Sequence, residues 1–167
     1  MDRKSFLFNS ASAGAAIALQ PFSAFAKGTD PEPLKPELVK DFVGAGHARF
    51  ERVKELFAEY PNLIYSRWDW GNGDFEEAIE AAGHVGNKEI AHWLIENGAR
   101  PNLFVMAMLG ETAIVKSMVE KYPSLLNARG AHGFTLLHHA TRGGEDAKEL
   151  LDYLSSKGLK EMRVKIQ

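Results

Sequence analysis

The chain has 167 residues, of which 45% are hydrophobic and 25% charged, the balance of one soluble domain able to bury a core. Lys and Arg number 20 against 22 Asp and Glu, a net charge of −2, too even to mark a nucleic-acid or membrane-surface binder. Cysteine is absent, which excludes disulfides, thiolate nucleophiles, Cys-ligated zinc and a lipoprotein anchor.

Taken in chain order, Arg3 and Lys4 precede a weakly hydrophobic stretch, residues 6–19, and then the small-x-small triplet Ala24-Phe25-Ala26. That order predicts a secretory signal over residues 1–26, cleaved before Lys27 and leaving no membrane anchor. A spanning helix needs about 20 predominantly apolar residues, and Asn9, Ser10, Ser12 and Gln20 interrupt this run. The string Arg3-Lys4-Ser5-Phe6-Leu7 resembles a bacterial twin-arginine signal with lysine in place of the second arginine. Either export route implies a periplasmic or secreted product. Residues 27–35, with Pro31 and Pro33, read as a linker. Pro36 then suits the first turn of a helix whose Leu38, Val39, Phe42 and Val43 recur at three- and four-residue spacing.

The folded part, residues 36–158, repeats itself. Residues 52–64 align without gaps on residues 114–126, both being amphipathic helices that end in Tyr-Pro. A third copy, residues 90–99, ends in Asn97-Gly98-Ala99, and a fourth closes on Gly158. Each follows a shorter apolar helix across a turn at Ala48, Gly86, Gly110 or Gly144, which predicts four helix pairs. Too few residues separate Gly98 from Leu103 for a β-turn finger there. Residues 159–167 form a C-terminal tail in which Met162, Val164 and Ile166 alternate.

The segment Gly133-Phe134-Thr135-Leu136-Leu137-His138-His139-Ala140-Thr141-Arg142-Gly143-Gly144 resembles the ankyrin signature Gly-x-Thr-Pro-Leu-His-x-Ala-Ala-x-x-Gly, and Asn97-Gly98-Ala99 resembles the family's repeat ending. Leu136 stands where the family prefers Pro, and Glu80 and Phe104 where it prefers His. The resemblance implies an all-α solenoid of about four helix-turn-helix units with short β-turn fingers, acting as a monomeric protein-binding module. It implies binding through the fingers and inner helices, at positions matching Trp68, Trp70, Glu77, His84, Met108, His132, Phe134, His139 and Arg142. It also implies that His138 hydrogen-bonds within and between repeats.

Catalytic patterns are missing. The acids Asp74, Glu76, Glu77 and Glu80 read as a helix start, with Asp74 as N-cap and Glu76 and Glu80 on one helical face. They lack a companion nucleophile. The adjacent His138 and His139, with His132 nearby, diverge by about 100° on a helix, a poor geometry for sharing a metal. Gly71-Asn72-Gly73 lacks the phosphate-loop spacing and reads as a hairpin tip. The expectation is therefore an exported, non-catalytic binder of a protein, with no cofactor, metal or nucleic acid. An inhibitor or immunity protein for one enzyme is the alternative within the same fold, and an enzyme with a groove site is the alternative outside it. The segment from Arg67 to Asp74, with two tryptophans beside a tight turn, has the composition of a binding hot spot.

Overall fold

The computed structural model describes residues 32–166, so the expected signal and most of the linker lie outside the described residues. The described part is mostly helical with a small two-stranded sheet. Four helix pairs follow one another: α1 (Pro36–Ala45) with α2 (Phe50–Glu59), α3 (Ala78–Val85) with α4 (Lys88–Glu96), α5 (Leu103–Leu109) with α6 (Thr112–Lys121), and α7 (Leu136–Gly143) with α8 (Lys148–Ser156). The strands β1 (Arg67–Asp69) and β2 (Phe75–Glu77) pair antiparallel between the first and second pairs, with Trp68 opposite Glu76. Among the described residues no helix is long and apolar enough to cross a membrane.

The sequence copies become conformational copies. Tyr60 and Tyr122 end α2 and α6 with nearly the same dihedrals, φ −130° and −128°. Each is followed by a Pro-led 3₁₀ turn, Pro61–Tyr65 and Pro123–Asn127, because proline cannot continue a helix but fits a first turn. Asn87, Asn102 and Thr135 cap α4, α5 and α7 by accepting backbone N–H groups, satisfying donors that a helix start leaves free.

The first helices of the pairs pack in order, α1 on α3, α3 on α5 and α5 on α7, and α7 also touches α3 directly. Helix α5 is the seam of the core. Its Val105 and Met108 join Phe42, Ile79, Leu94 and others in one apolar cluster. Its Ala107 joins Val115, Leu136, Leu150 and Leu154 in the second. No strand lies between α4 and α5, so the first finger (β1–β2) and the finger at residues 129–135 face each other with none between. The tail lies on that last finger, where Phe134 bridges Arg163, and Val164 N–H donates to the Gly133 carbonyl at 2.8 Å.

Two expectations for the acidic run need correction. Residues 75–77 are strand, and α3 begins at Ala78 with Glu77 as N-cap and Glu80 completing a capping box. Asp74 therefore caps no helix, and Glu76 and Glu80 share no helical face. The hairpin register decides this, because pairing Trp68 with Glu76 turns the glutamate inward where it is fully buried. Glu80 bonds its own helix start and the next helix pair: its carboxylate accepts the Glu77 N–H at 2.7 Å and the Asn102 side-chain amide at 2.6 Å.

On α7 the histidines serve packing. The His138 Nε2 lies 2.8 Å from the His84 carbonyl oxygen, tying α7 to α3. The His139 Nδ1 lies 2.8 Å from the Thr135 carbonyl oxygen. Burial holds His138 below its ordinary pKa of 6.5 and pushes His139 down to about 4, since an apolar surround penalises the charged ring.

Gly110 turns the chain at φ 81°, and an added Cβ would overlap the Asp146 carbonyl. Gly158, at φ 92°, opens to empty space. Urea unfolding of Gly110→Ala shows a loss of roughly 2–4 kcal/mol, against about 1 for Gly158→Ala. For His139, a folded-state pKa below the unfolded 6.5 means that the unfolded chain binds more protons between pH 4 and 6.5. Its stabilising contribution is complete above pH 6.5 and is lost as pH falls through about 4. Unfolding midpoints taken from pH 7 to 4.5 fall by an equivalent of about 2–3 kcal/mol, and His139→Gln flattens that slope.

Candidate functional site

The inward face of the first finger meets three imidazoles from different parts of the chain. His47 follows α1, His84 lies on α3 and His132 sits in the last finger. Their Nε2 atoms surround Glu76 Oε1 at 3.8, 2.8 and 3.4 Å respectively. The His84 and His47 Nε2 atoms are 3.1 Å apart. All four atoms lie within 4.8 Å of one another, close enough to share one ion.

Three of the four members, Glu76, His47 and His132, are held from behind. Glu76 is fully buried, and its second oxygen accepts the Trp70 indole N–H at 2.7 Å. Oε1 has no hydrogen-bond partner of acceptable geometry. The His47 Nδ1 reaches the Gly44 carbonyl oxygen at 3.2 Å, and the His132 Nδ1 reaches Asp74 Oδ2 at 2.7 Å. A proton on each Nδ1 satisfies these two acceptors, and the Nε2 atoms then face the glutamate. His132 adopts φ 57°, a left-handed conformation that costs a residue with a side chain about 1–3 kcal/mol. It is fixed there by Asp74 Oδ1 on its backbone N–H at 2.7 Å and by the Arg163 Nε–H on its carbonyl at 2.7 Å.

A groove of about 380 Å³ lies on the other face of the finger, where a finger is missing. Arg67, Phe75, Glu80, Phe104 and Arg129 line it. Phe75 is 48% exposed, with the Arg67 guanidinium 5.9 Å from its ring centre. Tyr65, 51% exposed, carries the Arg100 guanidinium 5.3 Å from its ring centre.

The nine positions expected to face a partner separate into three groups. Trp70 and Arg142 are exposed, and Trp68, Glu77, His132 and Phe134 are half-buried. His84, Met108 and His139 are buried, a correction to their reading as contact residues. Met108 fills the core under α5, His84 is enclosed by His47, His132 and Phe134, and His139 lies against Phe104. Trp70 is committed to Glu76, and Trp68 packs beside α1 with the Lys40 ammonium 5.6 Å from its ring centre. Burial raises the Glu77 carboxyl above its ordinary value, and the neighbouring Glu80 charge adds to this. The sequence reading missed His47 entirely and took Glu76 for a helix-start acid. His47, His84 and His132 are 37 and 48 residues apart, so no local spacing reveals them.

No family model matches the chain. The ankyrin repeat and SAM domain-containing protein 6 of Rattus norvegicus is 28% identical over 84% of this chain, as is that of Mus musculus. Alpha-latrocrustotoxin-Lt1a of Latrodectus tredecimguttatus is 42% identical over 44% of it. The chain spans 12% of the length of each mammalian relative and 6% of the toxin. With its helix pairs, its Gly-turned repeat ends and its fingers, this distant likeness over most of the chain supports an ankyrin-repeat identity.

Proposed function

We propose that the chain is an exported, non-catalytic protein-interaction module with the solenoid architecture of its ankyrin-repeat relatives, and that it takes a protein segment into the groove between its two fingers. The carrying observation is the groove itself, with the exposed Phe75 ring and the Arg67 and Arg129 side chains along it. Exposed aromatic rings beside guanidinium groups are the composition of binding hot spots. The groove is open and polar, which suits a peptide segment better than an enclosed small molecule. Arg67 is already paired with Glu77 and Glu80, so Arg129 is the groove cation that favours a segment offering a carboxylate next to an apolar side chain. Export rests on the arrangement of residues 1–26, and the periplasm or the exterior is then where the partner is met. The sparse catalytic grouping favours binding over turnover.

Two outcomes test this reading. Peptides selected by display against the full chain bind at least tenfold more weakly to Phe75→Ala and Arg129→Ala, while helical circular dichroism is unchanged, since Phe75 is 48% exposed. Equal binding by both variants removes the groove as the site. For export, N-terminal sequencing of chain recovered from the periplasm begins at Lys27. Retention of Met1 in a cytoplasmic fraction contradicts it.

A further inference from the structure

We infer that His47, Glu76, His84 and His132 form a closed, four-ligand site for a divalent transition-metal ion of the zinc class, which staples the first finger to the last. The inference is independent of partner binding.

Geometry carries it first. A tetrahedral ion with ligand bonds of 2.0–2.1 Å sets its ligand atoms about 3.3 Å apart. Here four of the six ligand-atom pairs stand at 2.8, 3.1, 3.4 and 3.8 Å and all six lie within 4.8 Å, so small side-chain rotations bring the four atoms onto one ion. Three imidazole nitrogens and one carboxylate oxygen are donors that suit zinc, and also cobalt, nickel and copper.

Chemistry carries it second. Oε1 of Glu76 belongs to a fully buried side chain and lacks a hydrogen bond, a costly state that an ion removes. The imidazoles of His47 and His132 are oriented by a backbone carbonyl and a carboxylate on their far nitrogens, the outer arrangement that metal-bound histidines recurrently have. Charge also closes: an ion of +2 is balanced by Glu76 and Asp74, one negative charge each. Four protein ligands leave no position for water or substrate, so the site is structural and not catalytic. It joins the end of α1, the first finger, α3 and the last finger across the gap left by the missing one.

The test uses the full chain without an affinity tag, stripped with a chelator and titrated with zinc chloride by calorimetry at pH 7.5. One equivalent binds with submicromolar affinity, and the thermal midpoint rises on loading. Glu76→Gln and His132→Ala each weaken binding at least tenfold and abolish that rise, while the exposed His92→Ala behaves like the native chain. Cobalt binds in the same stoichiometry with the visible absorption of a tetrahedral site. Absence of stoichiometric uptake by the native chain overturns the inference, as does uptake that survives both Glu76→Gln and His132→Ala in variants with native circular dichroism. Loss of binding in His92→Ala alone, which would mark a surface site, overturns it too.

Discussion

A carboxylate sealed from water must be paired, and the fully buried Glu76 imposes that requirement on much of the molecule. Three imidazoles, an indole N–H and, one step further out, Asp74 are arranged around it. The left-handed backbone of His132 belongs to the same arrangement, since in that conformation both its amide and its ring meet Asp74. Strain at one residue is tolerated where several partners over-determine it. The two fingers are thereby joined through their tips, although 58 residues separate Asp74 from His132.

The missing finger makes this contact possible. In a regular repeat array each unit touches only its neighbours. Here α7 reaches α3 past α5 through the His138 ring on the His84 carbonyl, and it reaches α4 through Lys88, whose ammonium meets the Gly143 carbonyl at 2.6 Å. A cation at that helix end also opposes the helix dipole. The same gap leaves the groove beside Phe75, so the short α4–α5 connection shapes both faces of the first finger: one closed over polar groups, the other open.

Local signals in the sequence carried most of the helical architecture. The duplicated Tyr-Pro helices, the Gly turns and the short Gly98 to Leu103 connection each fix backbone within a few residues, and periodicity is a short-range property. The acidic run was misassigned because Asp-x-Glu-Glu before an apolar stretch satisfies helix-start chemistry equally well, and only the cross-strand register of Trp68 and Glu76 resolves it. The cluster was illegible for a different reason. His47 sits in a turn whose place depends on the packing of α1 against α3, and His132 depends on the last finger folding back toward the first. Side-chain convergence across three repeats is a tertiary fact that pairwise spacing does not encode. Burial of Met108 and His139 was similarly hidden, because the short helices are apolar or shielded on more than one face where α3, α5 and α7 meet.

On the inference above, the fingers are held together around one shared metal ion enclosed by Glu76 and three histidines. Crystals grown with zinc and measured on both sides of the zinc absorption edge address it most directly. The prediction is a single anomalous peak bonded to Glu76 Oε1 and to the Nε2 atoms of His47, His84 and His132, with Asp74 still on the far nitrogen of His132. A well-ordered cluster with no peak at that point, or zinc found only at surface groups such as His92, would contradict it.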